Sequence, residues 1–576
     1  MQRNIAELAE NEFDVLVVGA GIHGVAVAYD AALRGLKVAL IDKGDFGSAT
    51  SSNSLKIVHG GLRYLQHADF RRMRESIRER KTLMRIAPHL VYPLPFLIPT
   101  YGHFVKGPEA LFFAMLANDL ISLDRNWGMP PDKRLPRGRV ISREEMERLF
   151  PGVNQENLTG GAIWYDAQMY NSERLILAFL HSAVQAGASA CNYVKAEAFD
   201  LRGDRVVGIK ARDVLTDTPF SVRARLVVNT SGPWYNQILN MLGQREAPDR
   251  ILLSKALNIV TRPISEGFAV GVYSRKKYKD ADAVLSKGSR LFFITPWRGK
   301  SLIGTAHVAY DGNPNNFRVT RQDIDDFLRE VQDAYPSAEL KSDDVTFYQA
   351  GMLPITAVDP DTGDVTLAKH HRIVDHRKAH GVEGALSVIG VKYTTARDVA
   401  EKTVDLALSK LGLPRRRCVT AIAPLYGGHV DCFEDFLKNE LKASDGAIPP
   451  SSLEALLRNH GSAYQRVLRY VEESPVWATL LSDDSTTIKA EVLHAVREEM
   501  AQKLADVVFR RTELGTLGYP GKAALQTAAD IMANELGWSN ARVQQEIAEV
   551  EAVYEPVRND LTAKQPARDA LVSESE

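Results

Sequence analysis

The chain has 576 residues, 71 Lys+Arg against 72 Asp+Glu, 45% apolar residues, 8% aromatics and three cysteines. That length exceeds what one hydrophobic core usually serves, so two or three domains are expected, and the ordinary apolar and charged fractions exclude a disordered, collagenous or coiled-coil chain. A net charge of −1 removes any global case for nucleic-acid binding.

Cys191, Cys418 and Cys432 are too few and too scattered for a disulfide framework or a structural zinc site, so a reducing compartment and no metal centre are expected. Residues 1–12 are polar and acidic, without the apolar core of a secretory leader. No run of about 18 apolar residues predicts a transmembrane helix.

The first chemical signal lies at residues 13–42. FDVLVV (13–18) reads as a buried parallel strand, the alanine-rich stretch after Gly24 as a helix ending at Gly35, and LKVALI (36–41) as a second buried strand with Asp42 at its end. Between the first strand and the helix stand Gly19, Gly21 and Gly24, the G-x-G-x-x-G spacing in its strand–turn–helix setting. Gly19 permits the tight turn, Gly21 lets backbone approach a pyrophosphate, and Gly24 lets helix and strand pack closely. The helix N-terminus offers unpaired N–H groups to the anion, and Asp42 can accept from ribose hydroxyls. These residues predict dinucleotide binding without separating NAD from FAD.

DFGSATSSNSLKIVHGGLRYLQ (45–66) is a hydroxyl-rich loop ending in a glycine pair, suited to meeting a flat polar ring system and a phosphate. Its T-S-S-x-S-x-K-x-x-H-G-G-L-R-Y-L pattern resembles the signature of the FAD-dependent glycerol-3-phosphate dehydrogenase family, in the glycine oxidase/D-amino-acid oxidase-like superfamily. The likeness continues through ERKTLMRIAPHLVYPLPFLIP (79–99), VVNTSGPW (227–234), FFITPWRGKSLIGTAHVAYDG (292–312), VIGVKYTTARDVAEK (388–402) and RRTELG (510–515), covering roughly residues 13–530.

The resemblance implies an α/β fold: a discontinuous Rossmann-like FAD-binding domain (13–100 with 186–244 and 351–412), an antiparallel-sheet substrate domain (101–185 with 245–350) and a helical C-terminal domain (425–560). RVVGIKAR (205–212) and SLIGTAHVAY (301–310) are read among the strands of the substrate domain, and LPRRRCVTAIAPLYGG (413–428) as a linker. Gly461 is a plausible helix cap. The tail from Leu561 is polar and expected to fray. The basic cluster RRMRESIRERK (71–81), with Glu75 and Glu79 at salt-bridge spacing, reads as a solvated helix face. ALFFAMLANDLISL (110–123) reads as a core helix, with peripheral membrane contact as the alternative.

The implied cofactor is FAD, held by Gly19, Gly21, Gly24, Asp42, Ser51, Ser52, Lys56, His59, Gly60, Gly61, Leu62, Gly390, Lys392 and Thr394. The expected catalytic residues are Lys392, in the match to the family's G-G-K-x-T-T segment, Arg63 beside Tyr64, and His307. Thr395 joins Thr394 at the start of the following helix.

Several positions depart from the family pattern. Leu353 stands where G-V-R-P-L carries the substrate-phosphate arginine, and Asn258 where K-G-x-H carries histidine. Thr305, Ala306 and His307 replace T-T-D, Ala368, Lys369, His370 and His371 replace S-R-D-H, and Leu55 precedes Lys56 in place of a hydroxyl residue. Losing a bidentate arginine weakens phosphate recognition by roughly tenfold or more, and His307 can replace the lost histidine as a base.

The expected function is oxidation of a secondary alcohol, sn-glycerol 3-phosphate or a related polyol or hydroxy compound, by hydride transfer to flavin N5. The alternatives are an amine or amino-acid oxidase of the same superfamily, or a flavin-binding protein without turnover. Electrons would pass to a quinone or another carrier. The expected location is cytoplasmic, with peripheral contact at the inner face of the membrane as a further option; the oligomeric state is open.

Overall fold

In the computed structural model, the described residues are 1–67, 69–103, 107–244, 246–277 and 289–558; the Arg63 side chain and the C-terminal tail lie outside them. An eight-stranded sheet runs in the order Arg372–Asp375, Ala385–Ile389, Thr218–Asn229, Glu12–Val18, Val38–Ile41, Ser189–Cys191, and its hairpin Val194–Arg202/Arg205–Asp213 pairs off Thr218–Asn229. Its central strands are parallel, and alternate residues feed opposite cores. Val15 and Val17 face the helices Ile22–Leu33, Ser172–Gln185 and Ala396–Lys410, whereas Leu16 and Val18 join Ile209, Val222 and Ile238 on the other side. Burial on both faces is why FDVLVV is continuously apolar. The helix after the glycine motif ends at Leu33, with Gly35 in the left-handed region.

The ten-stranded sheet runs Val365–Leu367, Val345–Val358, Leu252–Thr261, Lys300–Tyr310, Ser289–Trp297, Ala269–Lys277, Val91–Tyr101, Leu158–Met169, Ile57–Val58, with Arg139–Ile141 on Leu158–Met169. One face packs Leu257, Ile259 and Ile303 against helix Arg321–Ala334. The other face has two ends. Val260, Leu302 and Phe347 enter the core of the C-terminal helices between Phe433 and Tyr554, while the stretch beyond them borders the loop after Asp42. In that C-terminal unit, Gly461 caps helix Pro450–His460 with a positive φ.

The chain crosses between the sheets more often than its sequence suggests. Ile57–Val58 and Val91–Tyr101 lie within the stretch read as FAD domain, yet both pair in the ten-stranded sheet. Conversely, helix Ser172–Gln185 packs on Ile22–Leu33, and Arg205–Asp213, read among the substrate strands, pairs with Thr218–Asn229 of the nucleotide sheet. A strand's apolar pattern records burial, not which sheet buries it.

Two surface readings change. In helix Phe70–Ile86, Arg71, Arg74 and Arg78 face solvent, but Arg72, Ser76, Glu79 and Arg80 are buried. Glu79 takes two 2.7 Å bonds from Arg397, and Arg80 pairs with Asp166; partners from distant segments, invisible in local spacing, pull these charges inward. In helix Pro108–Ile121 only Met115 is buried, and Phe112, Phe113, Leu116 and Leu120 are exposed. It is no core helix.

Candidate active site

At the turn after strand Glu12–Val18, geometry dictates the glycines. Gly19 has φ +103°, and a Cβ there would lie 2.8 Å from the Thr230 carbonyl; a Cβ on Gly24 would lie 1.8 Å from the Gly19 carbonyl. Gly21 caps the helix, and the Ile22 N–H donates to Ser51 Oγ at 3.0 Å. Asp42 accepts from the amides of Ala20 (2.7 Å) and Gly44 (2.9 Å). Burial raises its carboxyl to about 6, with the Asp45 charge adding to the rise and the two amides opposing it. His23 Nε2 and Ser231 Oγ, both buried, have no protein partner; His23 lies within the motif and Ser231 against Gly19. Open glycine backbone, a helix N-terminus, an acidic residue and two orphaned polar atoms fit a dinucleotide.

The second cluster lies where Gly60 and Gly61 meet the end of strand Ala385–Ile389. The His59 N–H donates to Thr394 Oγ1 at 3.2 Å, and the Gly60 N–H to Asp166 Oδ1 at 2.5 Å. A Cβ on Gly60 would lie 2.0 Å from Arg80 Nη1, and one on Gly390 would lie 2.1 Å from the His23 ring. Tyr64 receives two cations: Lys392 Nζ stands 3.9 Å from its ring centre and the Arg72 guanidinium 4.4 Å. Burial, and then the Arg72 charge, lower the Lys392 ammonium to about 7. At neutral pH this lysine exchanges a proton readily, a property that concentrates at functional sites.

The third cluster is a sheet face. In the register, Asn258 stands opposite Gln349, Ala256 opposite Gly351 and His307, and Ser254 opposite Leu353, so Asn258, Gln349, His307 and Leu353 share one side. Thr305 donates to Asn258 Oδ1 at 2.7 Å, and Asn258 donates to the Gln349 carbonyl at 3.2 Å. This face meets the 48–56 loop: Thr50 Oγ1 donates to the Met352 carbonyl at 2.9 Å, and a Cβ on Gly304 would touch Leu55. One loop therefore borders both the dinucleotide turn and the polar sheet face.

Residues 14–390 match the family of FAD dependent oxidoreductases, and residues 418–543 match the C-terminal domain of alpha-glycerophosphate oxidase. A glycerol-3-phosphate dehydrogenase from Synechocystis is 33% identical, over 95% of this chain and 97% of its own. The chain belongs to the FAD-dependent glycerol-3-phosphate dehydrogenase family. It is an FAD-dependent oxidoreductase, and FAD is its cofactor. The mitochondrial glycerol-3-phosphate dehydrogenase of Mus musculus is 30% identical over 93% of this chain and 72% of its own. The crystal structure of the Bacillus halodurans glycerol-3-phosphate dehydrogenase, complexed with FAD, superposes with a TM-score of 0.74 at 26% identity, covering 96% of this chain and 97% of that one.

Within this family member the expected residues divide by position. Gly19, Gly21, Gly24, Asp42 and Ser51 surround the helix N-terminus; His59, Gly60, Gly61, Leu62, Gly390, Lys392 and Thr394 gather at the second cluster. Lys56 turns away from both. It is fully buried with φ +57°, and its ammonium donates to Glu173 (2.6 Å), Ser172 (3.0 Å) and the Ser52 carbonyl (3.2 Å). It shapes the loop from within, because its charge finds a carboxylate in the protein interior. Ser52 is likewise buried, its carbonyl engaged by Lys56 and Ser172.

Arg72, Asp166 and Arg80 join the second cluster without having been among the expected residues. The charge pattern of residues 71–81 hid the two arginines. Asp166 left only a weak signal, the one acid in the strand Leu158–Met169.

Among the described residues, the cluster with metal-ligand spacing is His460, His494 and Glu499. Arg174 already holds Glu499 at 2.7 and 2.9 Å and lies 3.1 Å from His460 Nδ1. The Arg174 guanidinium thus pairs with the carboxylate of this cluster.

Proposed function

We propose that this enzyme oxidises the secondary alcohol of sn-glycerol 3-phosphate, or of a polyol or hydroxy compound of similar size, to the ketone. The observation that carries this reading is Lys392, an ammonium lowered to about 7 beside Tyr64 and next to the flavin-loop glycines. Bound FAD supplies the hydride acceptor. The neutral Lys392 amine takes the proton of the substrate hydroxyl, and the Tyr64 ring and the Arg72 charge set how readily it does so. Asn258, Thr305 and His307 present polar atoms to the hydroxyls of a polyol. Asp166 fixes the Gly60 backbone, and with it the loop over which the substrate carbon is held.

Leu353, at the position matched to the family's phosphate arginine, favours a substrate bound with a weakened anion clamp. Anaerobic mixing of the flavin-loaded enzyme with phosphorylated and unphosphorylated polyols, hydroxy acids and amines tests the proposal. Bleaching of the flavin by alcohols supports it. Bleaching by amines alone overturns it in favour of C–N oxidation.

A second observation bears on where the enzyme works. Phe112, Phe113, Leu116, Leu120, Leu123 and Trp127 are exposed along and just beyond helix Pro108–Ile121, a stripe too apolar for an ordinary solvated surface. We infer that this stripe rests in the interfacial layer of a membrane, as amphipathic helices do, and that a membrane quinone takes the electrons. No helix among the described residues is long and apolar enough to cross a membrane.

A further inference from the structure

The segment that follows the ribose acid is gripped from the far end of the chain. Asp45 lies three residues after Asp42, and its carboxylate is fully buried. It accepts from Arg510 Nε at 2.5 Å, from Arg511 Nη2 at 2.7 Å, again from Arg511 through Nη1, and from Asn192 Nδ2 at 3.0 Å. Both arginines belong to the C-terminal helical domain, and they sit in the π-helical turn Val507–Arg511. Such turns are rare and favour functional positions; here the wide turn brings two consecutive side chains to one carboxylate. The Arg511 guanidinium is itself anchored on the Glu499 carbonyl at 2.9 and 3.2 Å. Arg510 also donates to Asp506 at 2.6 Å, and Tyr193 donates to that carboxylate at 2.7 Å.

The stretch held by Asp45 touches the glycine turn at two points and Asp42 at a third. Gly44 N–H donates to Asp42 Oδ1, Gly47 N–H to the Ala20 carbonyl at 3.0 Å, and Ile22 N–H to Ser51 Oγ. Two carboxylates and two guanidiniums buried together are a poor device for stability alone, because apolar side chains of similar volume usually do as well. Their use is orientation. Burial would raise the Asp45 carboxyl, but the Arg511 and Arg510 charges hold it down at about 2, and Asp45 in turn is one of the charges that push Asp42 up.

We propose that Arg510 and Arg511 are positioning residues for FAD: through Asp45 they set the 44–51 loop against the glycine turn, so that the C-terminal domain controls cofactor affinity. The proposal rests on the reading that FAD lies along Gly19–Gly24 and Asp42. It assigns the C-terminal domain a task that requires no contact with substrate.

The experiment measures FAD dissociation constants and melting temperatures of the full-length apoprotein for R511M, R511K, R510Q, D45N, the D45N/R511M double variant, D42N and R298M. The control residue Arg298 joins the same domain through Glu513 at 2.8 Å without touching the 44–51 loop. R511M, R510Q and D45N should each weaken FAD by about tenfold or more, since each removes charged hydrogen bonds from a buried group. R511K should recover part of the affinity. The double variant should lose less than the sum of the singles. R298M should lower the melting temperature while leaving FAD affinity within about twofold. Unchanged FAD affinity in folded R511M and R510Q overturns the proposal, as does an equal loss in R298M, which would mean general loosening of the domain. Unchanged affinity in D42N would instead overturn the cofactor reading on which it rests.

Discussion

Lys392 holds its ammonium 3.9 Å from the centre of the Tyr64 ring, in a setting whose burial and neighbouring Arg72 bring it down to about 7. A lysine so placed is half neutral at physiological pH, which an exposed lysine is not. The rate of flavin reduction by substrate should therefore rise with pH through an inflection near 7, as the amine loses its proton and gains the capacity to accept another. K392M should slow reduction by about 10²-fold or more and abolish that inflection. Stopped-flow bleaching across pH 5.5–9 checks both, and a preserved inflection in K392M would assign it to another group.

Asp42 gives a separate pH dependence. Its carboxyl is raised from 3.8 to about 6, so the apoprotein favours the neutral acid, and this residue's contribution to apoprotein stability falls as pH rises from about 4 to 6. FAD reverses the preference, because the ionised carboxylate is the better acceptor for ribose hydroxyls. FAD affinity should then weaken by up to about tenfold per pH unit below 6, and binding should release protons in that range. Calorimetric titration in buffers of different ionisation enthalpy measures the release; D42N should bind FAD more weakly and without it.

The substitution L353R tests the altered anion clamp. An arginine restored opposite Ser254 should lower KM for phosphorylated substrates by roughly tenfold and leave unphosphorylated polyols nearly unchanged. An equal effect on both classes would place Leu353 outside the phosphate-binding position.

Lys56 and Glu173, with side chains 0% and 3% exposed, predict stability rather than turnover. Removing one partner strands a buried charge, so K56M or E173Q should destabilise the protein by about 3–5 kcal/mol. Thermal denaturation of the singles measures this, and the K56M/E173L double variant should regain part of the loss.

The apolar stripe predicts vesicle binding. Wild-type protein should co-sediment with phospholipid vesicles, and F113D/L120D should remain in the supernatant with flavin content intact. Equal sedimentation of the two would remove the stripe from membrane attachment.

Much of this was legible in the residues, and for stated reasons. The glycine spacing and the continuous apolar strands follow from short-range geometry that any such turn must satisfy, and the structure forms the strand–turn–helix unit they predict, with Asp42 just past the end of the second strand. Lys392 was found through its neighbours Gly390 and Thr394. What escaped depended on partners far along the chain. Arg72 and Arg80 looked solvated because their pattern pairs with Glu75 and Glu79, whereas Arg80 pairs with Asp166 and Glu79 with Arg397. Lys56 carried no local sign of Glu173, the carboxylate 117 residues away that its ammonium meets. Asp45 and Arg511, separated by 466 positions, gave no local signal at all. The apolar run 110–123 showed its composition but not its exposure, since no pattern within a helix says whether another element covers it.

The account turns on a substrate C–H bond broken beside Lys392. The most direct measurement is anaerobic flavin bleaching by sn-glycerol 3-phosphate carrying deuterium or protium at its secondary carbon. The account predicts bleaching that proceeds several times more slowly with deuterium. Flavin that no secondary alcohol bleaches, in enzyme reduced readily by an amino acid or amine, would contradict it.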